Sequence, residues 1–345
     1  MHCLPNRALA YIVCERLTVS STRATSASFI SPANPAAEAR LTAALAPVQG
    51  DPDSEAEQAQ EYTRGLTRGH YENFSVVSLL LPRGLRQDFC NVYAFCRIAD
   101  DMADELGDRQ RAAAALGSLR EQTEACYAGR VNTRLFAALG VTIRRHEIPM
   151  QPFLDLIDAF EQDQRVDRYQ TFDQLVDYCR RSADPVGRLV LYMCGHRDAE
   201  RQRLSDQICT ALQLANFWQD VRRDMLERNR IYLPQDSMLQ FGVTEQQILE
   251  GRCDDGFRKL MQAQVERTQR LFNAGRSLLP MLDGRVRRHI ALFGKGGEAI
   301  LQAIRQEEYD TLTHRPTLSR WQKARLMLSA AGAGLAGALH RGAAA

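Results

Sequence analysis

Residues 213–224 read Gln-Leu-Ala-Asn-Phe-Trp-Gln-Asp-Val-Arg-Arg-Asp, and the interpretation of the whole chain starts from this stretch. A helix advances about 100° per residue, so Gln213, Asn216, Asp220 and Asp224, which are three or four positions apart, share one face. One wall of the helix therefore carries amides and carboxylates, whereas apolar residues fill the other faces. Two carboxylates one turn apart repel each other by roughly a few tenths of a kcal/mol, and a hard divalent cation is the natural counter-charge.

A second stretch, residues 93–105, repeats this pattern. Tyr93, Arg97, Asp100 and Asp104 fall on one helical face. In chain order, we call this face the first stripe and the face that carries Gln213, Asn216, Asp220 and Asp224 the second stripe. Two facing helices with such stripes can hold Mg²⁺ through few protein ligands, because Mg²⁺ keeps its waters and takes one or two carboxylates plus phosphate oxygens. The pair of stripes therefore predicts Mg²⁺ and a bound diphosphate. The alternative is that each stripe is only a solvated acidic face, which is the commoner origin of such a pattern.

Composition narrows the class of protein. A chain of 345 residues with 45% hydrophobic content has ample material for a core, and the net charge of +2 gives no indication of a nucleic-acid partner. The nine cysteines include no Cys-x-x-Cys pair, which predicts reduced thiols in the cytoplasm and excludes a disulfide framework or zinc site of that pattern. No apolar run approaches the roughly 20 residues that a membrane-spanning helix needs.

The chain is predicted to have three parts. Residues 1–60 are rich in Ala, Ser, Thr and Pro and are expected to be a disordered, dispensable extension, with a transit peptide as the alternative. From residue 61 to 328, apolar residues recur at steps of three and four without sustained period-two alternation, which predicts one all-α domain with both stripes facing a central cavity. The Ala/Gly-rich tail, residues 329–345, is expected to be a frayed end; a contact with a membrane surface is the alternative.

Two further stretches carry candidate functional residues. Pro185, seven residues after Tyr178, removes a backbone hydrogen bond, which predicts either a simple helix boundary or a kink that makes room for a ligand. Arg228 and Arg230 directly follow residues 213–224. A guanidinium in this place can bind a phosphate through two hydrogen bonds. Tyr309 by itself is more typical of a core position.

Together, Arg97–Glu105, Tyr178–Gly187, Gln213–Asp224 and Arg230–Pro234 resemble the squalene/phytoene synthase family, and the resemblance covers about residues 68–315. It implies the all-α isoprenoid (terpenoid) synthase fold. It also implies that the catalytic carboxylates and one amide bind Mg²⁺: Asp100, Asp104, Asn216, Asp220 and Asp224. By the same resemblance, Tyr93, Arg97, Gln213 and Arg230 contact diphosphate, and Tyr178 and Tyr309 line the cavity.

Within the family, the stretches around Asn73, Pro185 and Tyr309 most resemble the hydroxysqualene-forming members of bacterial hopanoid biosynthesis. This likeness implies ionisation of presqualene diphosphate and capture of the carbocation by water, without a nicotinamide cofactor. Asn73 and Asp184-Pro185 depart from the usual family residues at the substrate wall, where Asn73 can hold a water. The alternatives are presqualene diphosphate, squalene or phytoene synthesis from substrates such as farnesyl diphosphate, and a non-catalytic assembly factor. The expected location is the cytoplasm, with peripheral attachment to the inner membrane as an alternative.

Overall fold

The computed structural model describes residues 34–48, 52–68, 83–319, 321–323 and 325–326. These residues are almost entirely helical and contain no β-strand, so the predicted all-α class is confirmed for this part of the chain. The chain divides into two compact units, residues 1–167 with 176–202, and residues 168–175 with 203–345. Each unit carries one of the predicted stripes.

The first unit is built from the N-terminal helices. These are α1 (Pro35–Ala44), α2 (Pro52–Arg68), α3 (Arg86–Asp104), α4 (Arg109–Tyr127), α5 (Arg134–His146), α6 (Gln151–Asp163), most of α7 (Phe172–Ser182) and α8 (Asp184–Met193), with a 3₁₀ turn at Arg83–Leu85. Helix α3 lies at its centre and is buried from Asp88 to Ala103. Phe95 packs edge-on against Phe136 and Phe153, with ring centroids 6.3 and 4.9 Å apart.

Buried polar contacts fix α3 against its neighbours. The Asn91 side chain donates to the Ala138 carbonyl and to the Thr142 hydroxyl, both at 3.0 Å, and accepts from the Thr63 hydroxyl at 2.6 Å. Thr63 belongs to α2, and Ala138 and Thr142 belong to α5. A buried amide with all its partners present fixes one register between helices, since an orphaned polar group in that position is costly.

The predicted disorder of residues 1–60 does not hold for the described part of that segment. Helix α1 begins with Asn34, whose side chain accepts from the Ala36 amide, and it buries Ala37, Leu41 and Ala44. Helix α2 also begins before residue 60. Composition predicted too little apolar material for a core, but α1 adds its few apolar residues to a core that other helices supply.

The second unit contains most of α9 (Ala199–Gln219), α10 (Val221–Arg228), α11 (Gln235–Gln240), α12 (Glu245–Glu250), α13 (Asp255–Gly275) and α14 (Gly284–Gln306), with a 3₁₀ helix at Arg276–Met281. The Trp218 indole N–H donates to the Thr268 hydroxyl at 2.7 Å, which ties α9 to α13. A Cβ atom at Gly297 of α14 would lie 2.5 Å from Phe272 and 2.7 Å from Leu212. The absence of a side chain at Gly297 therefore permits the close packing of α14 on α9 and α13.

Several predictions about the rest of the chain have mixed outcomes. No helix among the described residues is long and apolar enough to cross a membrane. The seven cysteines within the described ranges form no disulfide bond. The division at residues 60 and 328 and the single domain stay predictions, and the tail 329–345 lies outside the described residues.

Candidate functional site

The first stripe lies on α3. Tyr93, Arg97 and Asp100 are buried, and Asp104 is the half-buried last residue of the helix. Arg97 is central to this stripe: its Nη1 lies 3.5 Å from Asp100 Oδ2, and its Nη2 lies 2.5 Å from Asp101 Oδ1. Burial alone lowers the pKa of Arg97, but Asp100 and Asp101 raise it above its usual value, so the guanidinium stays charged.

The phenol of Tyr93 is the neutral member of the stripe. Burial raises the pKa of Tyr93 to about 12; Arg97 acts in the opposite direction, and Asp100 and Asp101 add to the increase. At neutral pH the hydroxyl therefore keeps its proton and can donate a hydrogen bond to an anion.

The stripe includes a carboxylate that spacing did not single out. Asp101 is fully buried and receives two hydrogen bonds from Arg40 of α1, at 2.7 and 2.9 Å, in addition to the contact with Arg97. Asp101 is therefore an internal anchor that two guanidinium groups neutralise. No sequence pattern predicted Arg40, because its partner is 61 residues away.

The second stripe is buried in the second unit, but it does not lie on one uninterrupted helix. Gln213 and Asn216 are on α9, Asp220 stands between α9 and α10 with φ −112° and ψ 17°, and Asp224 is in the first turn of α10. Helical backbone hydrogen bonds continue across this junction. The Asp220 N–H donates to the Asn216 carbonyl at 3.0 Å, and the Asp224 N–H donates to the Asp220 carbonyl at 2.8 Å. The four side chains are all buried.

The end of α10 fixes the backbone of Arg230. Asn229 adopts the left-handed conformation (φ 51°) that asparagine tolerates at a helix C-terminus, and the Arg230 N–H then donates to the Asp224 carbonyl at 3.1 Å. Arg168 holds this turn through the Asn229 carbonyl at 2.6 Å. Arg228 is the last residue of α10. The side chains of Arg228 and Arg230 are both half-buried.

Arg315 contacts the second stripe, and spacing did not single it out. Its Nε donates to Asp220 Oδ1 at 2.6 Å, and its Nη2 reaches Asp220 Oδ2 at 3.3 Å and Gln219 Oε1 at 3.0 Å. The Gln219 amide in turn donates to the Pro316 carbonyl at 2.6 Å. These contacts hold the loop after α14 against the second stripe. Arg315 and Asp220 are 95 residues apart, so helical spacing in the sequence could not predict their contact.

Pro185 separates α7 from α8, which confirms a helix break at this position. It lies in the first turn of α8, where its missing N–H is tolerated, and it cannot donate to the Arg181 carbonyl four residues earlier. Tyr178 is buried before this break and donates its hydroxyl to Asp163 at 2.9 Å. The Ser182 hydroxyl at the end of α7 is fully buried and has no hydrogen-bond partner among the described residues.

The remaining predicted residues have two outcomes. Tyr309 lies just after α14, half-buried and with φ 63°, and its N–H donates to the Ile304 carbonyl at 2.8 Å. Tyr309 is therefore not fully buried, as a core residue would be. Its role as a cavity-lining residue stays a prediction. Asn73 lies outside the described residues.

The first stripe has buried donors that fit a phosphate group, and the second stripe has a buried acceptor that fits a cation or another donor. In the first unit, Arg97 Nε and Nη1 are buried and have no hydrogen-bond acceptor among the described residues, as expected of donors that await phosphate oxygens. In the second unit, Gln213 Oε1 is a buried acceptor without a partner within the described ranges. No cluster of three or more His, Cys, Asp and Glu in the described ranges could hold a metal ion by itself, and Mg²⁺ commonly takes only one or two carboxylates beside phosphate oxygens and water.

Comparisons with known proteins identify the family of this chain. The family model described as squalene/phytoene synthase matches residues 67–322. The 15-cis-phytoene synthase of Synechococcus elongatus is 30% identical over 277 residues, which are 77% of this chain and 90% of that protein. The phytoene synthase of Thermus thermophilus is 32% identical over 264 residues, 76% of this chain and 89% of the relative.

Solved structures show the same fold. The squalene synthase HpnC from Alicyclobacillus acidocaldarius is 49% identical with a TM-score of 0.71, covering 74% of this chain and 97% of that one. A dehydrosqualene synthase in complex with a ligand is 25% identical with a TM-score of 0.72, covering 82% and 98%. The predicted isoprenoid synthase fold is therefore confirmed.

Proposed function

Because the chain belongs to the squalene/phytoene synthase family, whose members are isoprenoid diphosphate-utilising synthases of the head-to-head prenyl-transfer type, we propose that it converts presqualene diphosphate into hydroxysqualene. The observation that carries this proposal is the likeness to the squalene synthase HpnC over nearly the whole of that chain. The reaction consumes one water and releases one diphosphate, with no oxidant or reductant.

We assign the ionisation step to the two acidic stripes. Asp100, Asp104, Asn216, Asp220 and Asp224 would hold Mg²⁺, which when bound neutralises charge that develops on the leaving diphosphate. Arg97, with its buried free donors, and the protonated hydroxyl of Tyr93 bind phosphate oxygens. Gln213 and Arg230 are assigned the same role from the second unit. The carbon–oxygen bond then breaks with its electron pair on the diphosphate, which leaves a cyclopropylcarbinyl carbocation that rearranges, with opening of the ring, before capture.

Capture by water requires a polar position beside this cation. Ser182 supplies a buried hydroxyl without a partner among the described residues, and Pro185 leaves the Arg181 carbonyl without its helical donor. A water needs two or more such partners to be ordered. The water oxygen bonds to the cationic carbon and loses a proton, which gives the tertiary alcohol, while Tyr178 and Tyr309 are assigned to the apolar wall. From the resemblance to the family, Asn73 is assigned as a further donor and acceptor for this water.

The decisive experiment incubates the purified full chain with Mg²⁺ and either presqualene or farnesyl diphosphate, with and without NADPH, and identifies the lipid products. We expect hydroxysqualene from presqualene diphosphate, independent of NADPH. Asn73→Leu and Ser182→Ala should divert the cation to eliminated or rearranged hydrocarbons while diphosphate release continues; Ser118→Ala, the same change at an exposed position of α4, should alter neither.

The second candidate is condensation of two prenyl diphosphates, which the similarity to two phytoene synthases favours. It replaces the first proposal if the wild type consumes farnesyl diphosphate and ignores presqualene diphosphate. Squalene formation only with NADPH would also overturn water capture.

A further inference from the structure

Helix α1 precedes the part of the chain that the family model matches, which begins at residue 67. It nevertheless packs on the helix that carries the first acidic stripe. Its apolar face is buried at Ala37, Leu41 and Ala44. This packing alone would stabilise the fold, but two side chains of this segment, Asn34 and Arg40, also make polar contacts with one end of α3.

The first contact neutralises a buried carboxylate. Arg40 grips Asp101 through Nε and Nη2, and this carboxylate is fully buried, with no exposure of its side chain to water. Arg97 contacts both Asp101 and the neighbouring Asp100. Two adjacent buried acids thus share two guanidiniums. Without Arg40, Asp101 would depend on Arg97, and this fully buried carboxylate would draw the guanidinium away from Asp100.

The second contact lies one turn further along α3. The Asn34 side-chain amide donates to Glu105 Oε2 at 2.8 Å, and the Asn34 backbone N–H donates to the Glu105 carbonyl at 3.0 Å. The contacts to Asp101 and Glu105 therefore bracket Asp104, the last residue of the helix. Helix α2 supports α1 in turn, because the Tyr62 hydroxyl donates to the Arg40 carbonyl at 3.0 Å.

We propose that α1 is part of the catalytic unit and that Arg40 is a positioning residue, which holds the last turn of α3 and leaves Nε and Nη1 of Arg97 for Asp100 and the substrate diphosphate. The inference rests on the proposed role of the α3 stripe. A carboxylate displaced by about 1 Å can reduce turnover by about 100-fold. Removal of Arg40 should therefore lower kcat and change the dependence of the rate on Mg²⁺, and not only reduce stability.

The test compares Arg40→Met, which keeps length and removes charge, with Arg40→Lys, which keeps charge and loses the paired hydrogen bonds. Glu38→Gln is the matched control on the same helix, because Glu38 pairs with Arg111 where both side chains are exposed. Diphosphate release is measured in the full chain with whichever isoprenoid diphosphate the wild type consumes, well below the melting temperature of each variant. Amide hydrogen exchange of residues 100–105 gives a readout independent of activity.

We expect Arg40→Met to lower kcat by about 10- to 100-fold, to raise the Mg²⁺ concentration for half-maximal rate, and to speed exchange in residues 100–105. Arg40→Lys should lose a few-fold, and Glu38→Gln should match the wild type. A folded Arg40→Met protein with wild-type kcat and Mg²⁺ dependence, whatever its melting temperature, would mean that α1 only stabilises the fold. If Arg40→Met is not recovered in folded form, wild-type kinetics and exchange in Arg40→Lys overturn the proposal. A wild type that forms another product would refute hydroxysqualene synthesis but would leave this comparison intact.

Discussion

Arg315 contacts both carboxylate oxygens of Asp220, so we expect a cation that binds this carboxylate to compete with a guanidinium. We expect Arg315→Met to destabilise the metal-free protein by about 2 kcal/mol, because the buried Asp220 loses this ion-pair partner while Arg315 itself is partly exposed. Mg²⁺ alone should then bind more tightly to the variant and raise its melting temperature more than that of the wild type. Thermal unfolding across a MgCl₂ series measures both effects.

The matched control is Arg276→Met in the same unit. Arg276 is largely exposed and pairs with the half-buried Glu298, so this variant should lose less than about 1 kcal/mol and keep the wild-type response to Mg²⁺. An Arg315→Met protein whose melting temperature responds to Mg²⁺ as the wild type does would show that Arg315 and the cation do not compete.

At the residue scale, the sequence predicted site residues whose neighbours lie three or four positions away on the same helix. It missed residues whose partners are distant in the sequence. Spacing placed Tyr93, Arg97 and Asp100 on one buried helical face, because neighbours on a helix are three or four residues apart. Arg40 and Arg315 contact acids 61 and 95 residues away, and the chain has 44 Lys and Arg residues from which to choose. Only the fold brings such pairs together.

At the scale of single helices, two glycines of α14 that are neighbours in sequence should respond to substitution in opposite directions. Gly297→Ala places a methyl group 2.5 Å from Phe272, so we expect a loss of about 1–3 kcal/mol from overpacking. Gly296→Ala meets no atom within 4 Å and replaces a flexible helical glycine, so it should stabilise by about 0.5–1 kcal/mol. Chemical denaturation of the two variants beside the wild type gives the sign of each change.

Equal effects of the two substitutions would contradict the close packing of α14, since helix propensity alone treats both positions alike. The experiment also tests how α9 is held, because Leu212 of α9 lies 2.7 Å from the same added methyl group.

Element boundaries were predictable where a residue type forces them. Pro185 predicted the break between α7 and α8, because proline has no N–H to donate. The interruption at Asp220 has no such marker in the sequence, and the stripe was predicted on one helix. Helix α1 was missed for another reason: it is poor in large apolar residues, and Arg40 and Asn34, which help to hold it, have partners far along the chain.

At the scale of the whole molecule, each compact unit contributes one acidic stripe, and the proposed reaction requires both. We expect Asp100→Asn in the first unit and Asp220→Asn in the second each to reduce kcat by about 100-fold or more with little loss of folding. The double variant should lose little beyond either single variant, because groups that act as a unit give strongly non-additive effects. Asp255→Asn, at an exposed position of α13, is the control and should keep the wild-type rate.

Metal dependence separates this prediction from a purely structural effect. Diphosphate release by the wild type should require Mg²⁺ and cease in excess chelator, whereas the melting temperatures of both Asp→Asn variants should stay near that of the wild type. The two substitutions should also raise the Mg²⁺ concentration for half-maximal rate, because each removes one oxygen ligand of a hard cation. Multiplicative losses in the double variant would assign the stripes to independent tasks, and full activity in chelator would remove the cation from the reaction altogether.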